Sequence, residues 1–363
     1  MPPSAGPYGR AMDRDDPVHT GPAGTGPVLT VLGELVVDLL PVPDADAGPG
    51  GTAPHYVARP GGNALNVAVA AGRLGTRVSL LARLGTGPMG PALRRHAELS
   101  GVDVSGMVAA AEPVSLAVVG LGPDGSPDYG FHVQGAADWQ WTDAELAAVL
   151  PEDTAVLHVG SISSWTPPGC DAIAGLAERL SGTALVSVDP NLRPMLAGGP
   201  VGAALGNDPG TVRTRLDRLV AVADVVKVSA EDLAWLEPDA TDLDDAAQRW
   251  AARGPALVLL TDGGAPLRIA RPGRPLLHRD PPRVPVVDTV GAGDSLAAGL
   301  FAGLLGAGVT GRAALEALPD DDLLALVDDA ALVAALNCTR AGADPPTAAE
   351  LAAAREERAQ ATA

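Results

Sequence analysis

After Trp141 the chain alternates between short apolar runs and helical stretches, in units of roughly 30 residues. Each run is rich in Val and Leu, and a turn and a segment with helical spacing of apolar residues follow it. Because parallel strands need a crossover between them, this alternation predicts a parallel sheet with helices on both faces. The four runs are TAVLHVGSI, TALVSVDPN, DVVKVS and ALVLLTDGG. We therefore expect an α/β fold with one doubly wound, mostly parallel sheet.

The first part of the chain departs from this alternation. Residues 28–40, VLTVLGELVVDLL, predict a single buried first strand, and GGNALNVAVAAGRLG predicts a helix from about Asn63 to Leu74. VSLAVVGL and YGFHV flank the turn GPDGSPD, a pattern typical of a β-hairpin. Segments 41–60 and 102–137 fit no strand–helix unit, and we expect them to form a small β-sheet lid.

Charge and composition exclude several classes of protein. The formal charge of −19 repels polyanions, which argues against binding to nucleic acid or to an anionic membrane. The most apolar stretch, residues 296–309, is about 14 residues long and too short to span a bilayer. Cys170 and Cys338 are isolated, so neither a disulfide framework nor a cysteine zinc site is expected. Residues 1–27 lack an apolar signal core, which predicts a disordered tail before a folded domain, 28–363, in a cytoplasmic protein.

Residues 288–295, DTVGAGDS, carry the strongest chemical signal in the chain. A glycine-rich turn that opens a helix presents unpaired backbone N–H groups and the positive end of the helix dipole at one point, which suits a phosphate. We expect the amides of Gly291, Ala292 and Gly293 to take up γ-phosphoryl charge and the carboxylate of Asp294 to remove a proton from a hydroxyl. The turn therefore predicts phosphoryl transfer to an alcohol.

Polar residues also fall at or just after the ends of the predicted strands. In doubly wound folds ligands bind at the carboxyl ends of the strands, so these residues predict one active-site edge. They are Asp38, Asp189, Lys227, Asp262 and Asp288.

DTVGAGDS resembles the C-terminal signature of the ribokinase-like (PfkB-type) carbohydrate kinases, and RPGGNALNVAVAAGRLG resembles their N-terminal signature. The resemblance covers the chain from about residue 28 to residue 346. It implies ATP-dependent phosphorylation of a sugar hydroxyl with Mg²⁺, on a doubly wound sheet with a β lid. Asp294 matches the family's catalytic aspartate, and the 291–294 amides match its anion hole.

The resemblance also implies a sugar site. DPNLRP, residues 189–194, and GAADWQWT, residues 135–142, resemble the fructokinase branch, so fructose is the expected acceptor. Arg193 is then expected near the migrating phosphoryl group, where its planar fork stays charged. The residues implied to contact or lie near the sugar are Asp38, Gly61, Gly62, Asn63, Asn66 and Asn191.

On the nucleotide side the chain departs from the family's pattern. Pro266 replaces the second glycine of a Gly-x-x-Gly loop, and Ala331 stands where relatives often carry an adenine-facing Asn. The usual Asn-x-x-Glu is Ser229 and Asp232 here, with Asp232 expected to reach Mg²⁺ through water. The residues implied for ATP are Lys227, Ser229, Thr261, Gly263 and Gly264. Asp288, with the backbone near Gly342, resembles a monovalent-cation site, so K⁺ is a further candidate cofactor.

Several alternatives stay open at this point. The substrate could be another one used in the family, such as 2-keto-3-deoxygluconate, ribose or a nucleoside. The departures on the nucleotide side motivate a sugar-binding protein without turnover, which the intact Asp294 opposes. A hydride-transferring dinucleotide enzyme is disfavoured because no GxGxxG follows the first strand. A homodimer formed through the lid is a further expectation.

Overall fold

The computed structural model describes residues 26–42, 55–121 and 127–362, and these form two β-sheets. Most of the predicted tail, and residues 43–54 of the predicted lid, lie outside the described residues. In chain order the strands are β1 (Val28–Leu32), β2 (Val36–Pro41), β3 (Tyr56–Gly61), β4 (Val78–Thr86), β5 (Met107–Pro113), β6 (Ser115–Leu121), β7 (Pro127–His132), β8 (Thr154–Gly160), β9 (Leu185–Asp189), β10 (Val225–Ser229), β11 (Leu257–Thr261), β12 (Leu267–Ala270) and β13 (Leu277–Arg279).

The large sheet has nine strands in the order β13-β12-β11-β10-β9-β8-β1-β4-β5. All neighbours from β11 through β5 run parallel, and β12 and β13 add an antiparallel hairpin at one edge. The four apolar runs after Trp141 supply strands β8 to β11. The predicted mostly parallel sheet is therefore confirmed.

Helices cover both faces of this sheet. They are α1 (Asn63–Arg73), α2 (Met89–Leu99), α3 (Asp143–Val149), α4 (Ser161–Trp165), α5 (Cys170–Leu180), α6 (Pro194–Ala197), α7 (Gly199–Ala204), α8 (Pro209–Val220), α9 (Ala230–Leu236), α10 (Leu243–Ala251), α11 (Ala292–Gly306), α12 (Arg312–Ala317), α13 (Asp320–Cys338) and α14 (Ala348–Thr362). Successive strand residues point to opposite faces, so Leu257 and Leu259 pack with α1, α11 and α13, whereas Val258 and Leu260 pack with α5 and α10. No helix in the described ranges is long and apolar enough to cross a membrane.

The four remaining strands form a small sheet in the order β3-β2-β6-β7, which we call the lid sheet. The hairpin predicted from VSLAVVGL and YGFHV is confirmed as the antiparallel pair β6–β7. The segment 102–137 divides between the sheets, because β5 pairs with β4 and extends the large one. Gly62 alone separates β3 from α1, whose observed bounds agree closely with the predicted helix.

The prediction of one strand over residues 28–40 is wrong, since the chain changes sheets within it. β1 ends at Leu32 in the large sheet, and β2 begins at Val36 in the lid sheet. At the break, a Cβ on Gly33 would lie 2.8 Å from the Cβ of Ala64, so the backbone passes directly against α1. The N–H of Leu35 then donates to the buried side chain of Asp138 at 2.7 Å rather than to a neighbouring strand. Asp38 consequently belongs to β2 of the lid sheet and not to a strand of the large sheet.

Candidate active site

Asp294 lies in the first turn of α11 and is almost completely buried, at 8% exposure. Gly291 precedes the helix in a left-handed conformation, with φ of 76°, which favours glycine. Asn63 Nδ2 donates to Asp294 Oδ1 at 2.7 Å, and Asn66 Nδ2 donates to Oδ2 at 2.8 Å. The two asparagines are three residues apart and therefore share one face of α1. The two sequence signatures thus meet at the carboxylate of Asp294.

The surroundings of Asp294 favour its protonated form more than water does. Burial raises the pKa of this carboxyl group, whereas the charge of Lys227 and the hydrogen bonds from Asn66 and Asn63 lower it, and the net shift is upward. A carboxylate with a raised pKa is a stronger base. The geometry and the electrostatics therefore both suit Asp294 to accept a proton.

Lys227 is buried beside this carboxylate. Its Nζ donates to Asp189 Oδ2 at 2.9 Å across the neighbouring strands β10 and β9, and its side chain is 9% exposed. Burial alone lowers the pKa of Lys227, but the carboxylates of Asp189, Asp232 and Asp294 outweigh it and leave the pKa raised. Lys227 therefore stays charged and offsets the charge of buried carboxylates. Asp189 is the partner that sequence reasoning placed at a strand end without giving it a role.

Gly293 lets this ammonium group reach the start of α11. A Cβ at this position would lie 2.7 Å from Lys227 Nζ. The N–H of Ala292 donates to Thr289 O at 3.2 Å, and that of Ser295 donates to Gly291 O at 2.8 Å. Within the described ranges, the N–H groups of Gly291, Gly293 and Asp294 have no backbone acceptor. The predicted anion contact of the Ala292 amide would therefore compete with its bond to Thr289 O, and the amides of Gly291, Gly293 and Asp294 remain for an anion.

Asp38 extends from β2 of the lid sheet, close enough to Gly61 that a Cβ there would overlap its carboxylate. The pKa of Asp38 is raised to about 6, because the effect of burial outweighs the charge of Arg193, which lowers the pKa. Burial raises the pKa of the Tyr129 phenol, and the negative charge of Asp38 raises it further. This β7 residue therefore lies near the same carboxylate. Gly62 adopts a φ of 103°, and a Cβ there would meet Glu34 O at 2.5 Å, so the turn needs glycine. Tyr129 is a nearby group that no sequence motif indicated.

The 189–194 turn folds tightly on itself. Asn191 has a left-handed φ of 37°. Arg193 Nη1 donates to Asn191 Oδ1 at 2.7 Å and to Leu192 O at 3.0 Å. The guanidinium is thus held at the turn, near enough to Asp38 to lower its pKa.

Ser229 and Asp232 form a reciprocal cap at the start of α9. Asp232 N donates to Ser229 Oγ at 3.0 Å, and Ser229 N donates to Asp232 Oδ2 at 3.0 Å. The other carboxylate oxygen of Asp232 accepts from Leu192 N at 2.7 Å, which links α9 to the 189–194 turn. Ser229 Oγ also donates to Oδ2, at 2.7 Å, so Oδ2 already accepts two hydrogen bonds and only Oδ1 keeps a lone pair for a metal-bound water.

The predicted nucleotide-side residues lie at the same edge. Thr261 is the last residue of β11 and pairs with Ser229 of β10, and Gly263 and Gly264 follow in an exposed turn. Among the described residues, no group of three or more His, Cys, Asp or Glu side chains could hold a metal ion.

The predicted monovalent-cation residue, Asp288, holds two loops together. Its Oδ1 accepts from Val290 N at 3.0 Å and its Oδ2 accepts from Gly342 N at 2.8 Å. Asn337, which the sequence did not single out, is fully buried and donates to Val290 O at 2.7 Å. Together these contacts fix the approach to the 291–294 turn.

Comparisons with known proteins identify the family of this chain. A family model for pfkB family carbohydrate kinases matches residues 28–350. A fructokinase from Klebsiella pneumoniae is 35% identical over 306 residues, which cover 84% of this chain and 90% of that protein. Among solved structures, a fructokinase from Xylella fastidiosa with bound ATP has a TM-score of 0.79 at 27% identity and covers 92% of this chain and 99% of that chain.

A second solved structure is a fructokinase double mutant from Vibrio cholerae O395 in a form with bound fructose, ADP and potassium ion. It has a TM-score of 0.73 at 27% identity and covers 90% of this chain and 97% of that chain. The resemblance carried by the two signatures is therefore confirmed across the described fold. This chain belongs to the pfkB family of carbohydrate kinases.

Proposed function

We propose that this protein is an ATP-dependent fructokinase, which transfers the γ-phosphoryl group of ATP to a hydroxyl of fructose. The observation that carries the proposal is the buried Asp294 carboxylate, held by Asn63 and Asn66 beside Lys227 and the first-turn amides of α11. Similarity to fructokinases, one with ATP bound and one with fructose and ADP bound, supports the choice of substrates.

In the proposed mechanism Asp294 is the general base. It accepts the proton of the attacking hydroxyl as the new O–P bond forms and the bond between the γ-phosphorus and the bridging oxygen of ADP breaks. Asn63 and Asn66 donate to its two oxygens and fix its orientation. The amides of Gly291, Gly293 and Asp294 offset the negative charge of the migrating group.

The fructose site would lie between the lid sheet and α1. Asp38 accepts hydrogen bonds from sugar hydroxyls, and the Gly61–Gly62 turn admits the sugar close to the backbone. Asn191 lies opposite on the 189–194 turn, with Arg193 beside it facing the phosphoryl group. Polar groups that hydrogen-bond to each sugar hydroxyl select strongly for that sugar, because an analogue that lacks a hydroxyl leaves one of these groups unpaired.

The nucleotide would lie along the ends of β10 and β11, at Ser229, Thr261, Gly263 and Gly264. Among the residues that the structure describes, no cluster of His, Cys, Asp or Glu forms a cage for a metal, and this donor set fits Mg²⁺ carried by the phosphates and waters. Asp232 would contact that ion through water, using the lone pair left on Oδ1. When bound, the ion offsets phosphate charge. K⁺ beside Asp288, a homodimer through the lid sheet and a cytoplasmic location stay predictions.

A sugar panel in a coupled ADP-release assay tests the proposal. We expect the highest kcat/KM with fructose, over 2-keto-3-deoxygluconate, ribose and nucleosides. A higher kcat/KM with one of those compounds would show that it, rather than fructose, is the substrate, and the assignment as a kinase would stand. If calorimetry showed sugar binding while ATP with Mg²⁺ failed to bind, a sugar-binding protein without turnover would replace both.

A further inference from the structure

The lid sheet joins the rest of the molecule through four short connections. They are residues 33–35 before β2, Gly62 after β3, Val114 before β6, and residues 133–136 after β7. These connections, together with the packing of Val37, Leu39 and Leu116 against the main core, hold the lid sheet over the proposed sugar site.

One buried carboxylate, that of Asp138, holds two of these connections at once. Its Oδ1 accepts from Leu35 N at 2.7 Å, and its Oδ2 accepts from Ser115 Oγ at 2.5 Å. Leu35 immediately precedes β2, Ser115 begins β6, and Val36 pairs with Ser115 in the lid sheet. Asp138 is 1% exposed. Both inner lid strands are thus tied to the same side chain where they enter the sheet.

Asp138 itself is anchored in the body of the protein. It lies in a short 3₁₀ helix, Ala137–Trp139, whose last side chain is also 1% exposed. Arg83 Nε, from β4 of the large sheet, donates to Ala137 O at 3.1 Å. Gly169 N donates to Trp139 O at 2.9 Å. The carboxylate is therefore a fixed point to which the lid strands attach.

The connection before β2, residues 33–35, is also hydrogen-bonded to α4. Glu34 Oε2 accepts from Ser163 N at 3.2 Å and from Ser163 Oγ at 2.9 Å, at the start of α4. Residues 33–35 are thus held between α4 and the 3₁₀ helix. We call the contacts of Asp138 with Leu35 and Ser115, together with those of Glu34 with Ser163, the clamp. These contacts use two buried carboxyl groups as acceptors, which receive hydrogen bonds from two backbone N–H groups and two serine hydroxyls.

The clamp lies close to the sugar-binding carboxylate. Asp38 follows Leu35 by three residues on β2, so the two are about 10 Å apart at the rise of an extended strand. A rotation of β2 of about 10° at Leu35 would therefore move Asp38 by roughly 2 Å. A shift of that size is enough to break hydrogen bonds to a substrate.

We propose that Asp138 is a positioning residue for the sugar, which holds β2 and β6 so that Asp38 meets the sugar hydroxyls. The inference rests on the proposed function for the identity of the ligand. It assigns no contact between Asp138 and substrate or nucleotide. Its effect on the reaction passes through the orientation of the lid sheet alone.

Two variants weaken the clamp and one matched variant leaves it intact. Ser115→Ala removes one hydrogen bond, and Asp138→Ala removes both. Asp224→Asn is the control, because Asp224 is also buried and accepts a strand N–H, that of Val186, at 2.9 Å. It precedes β10 and so lies at the opposite end of that strand from Ser229.

The first measurement compares the KM for sugar with the KM for ATP, using the sugar that turns over fastest. We expect Ser115→Ala to raise the sugar KM about 5-fold and Asp138→Ala at least 10-fold, with the ATP KM within 2-fold of wild type. Asp224→Asn should lower the melting temperature without changing the sugar KM. A folded Asp138→Ala variant with an unchanged sugar KM, or one whose two KM values rise by the same factor, overturns the proposal.

The second measurement needs no activity. Hydrogen–deuterium exchange should become faster in β2 and β6 of Ser115→Ala, and of Asp138→Ala if it folds, relative to α5, with no such change in Asp224→Asn. If wild type phosphorylates no sugar, the proposed function fails, and this exchange pattern still decides whether the clamp exists. Unchanged exchange in β2 and β6 of the Ser115→Ala variant overturns the clamp even where the kinase activity is confirmed.

Discussion

Replacing Asp294 by Asn separates the proton-accepting role of this side chain from its shape. The amide has nearly the same size, but it cannot accept a proton at neutral pH. One of its two terminal atoms also becomes a donor that faces Asn63 or Asn66, each of which now donates to the carboxylate. We expect kcat to fall by about 10²–10⁴, the usual contribution of a general base.

The same substitution should not destabilise the fold. Burial raises the pKa of Asp294, so the folded protein disfavours the charged carboxylate at neutral pH. A neutral amide avoids that cost, and Lys227 keeps its ion pair with Asp189. This gain offsets the donor–donor contact with Asn63 or Asn66, so we expect a melting temperature close to that of wild type together with the loss of turnover.

The assay is coupled ADP release at saturating sugar and ATP, with calorimetry of sugar binding and thermal unfolding on the same preparation. Asn66→Ala is the matched control, since it removes one hydrogen bond to Asp294 and leaves the base, with an expected loss of about 10-fold or less. A kcat for Asp294→Asn within 10-fold of wild type would refute the assignment of the base.

The other predictions concern the charged groups and close contacts around this carboxylate. Lys227→Met should unfold at a markedly lower temperature, because it leaves Asp189 buried without its cation, at a cost of about 3–5 kcal/mol. Gly293→Ala should lower kcat about 10-fold by pressing on the Lys227 ammonium group, whereas Gly306→Ala on the same helix, where a Cβ meets nothing within 4 Å, should be silent in the same assay. The sugar KM should rise as pH falls through about 6, because protonation of Asp38 removes an acceptor, and Asp38→Asn should remove the part of the pH dependence that is centred near pH 6.

The parts of the fold set by local patterns could be predicted from the sequence. The apolar runs after Trp141 alternate with helices, and this pattern alone determines that their strands are parallel. The break between Leu32 and Val36 could not be predicted, because the apolar run continues through it. It depends on the approach of Gly33 to Ala64 and on the bond from Leu35 to Asp138, which join residues distant in sequence.

The site divides in the same way. The two signatures indicated that Asp294, Asn63 and Asn66 belong to one site, and the structure brings them within hydrogen-bond distance. The ion pair of Lys227 with Asp189 was not predicted, because it depends on which strands are neighbours in the sheet. A charged residue at the end of a predicted strand is expected at the active-site edge of the sheet, but its position in the sequence does not tell whether its side chain faces a ligand or another residue.

The position of Lys227 also gives the protein a built-in chemical probe. It is the only lysine among the 363 residues, so the chain has a single ε-amino group for acylating reagents to modify. That amine is buried and held protonated by its carboxylate neighbours, and both properties suppress its reactivity. The rate at which an amine-specific label appears on Lys227 therefore measures how often the proposed catalytic centre opens to solvent, without any mutation.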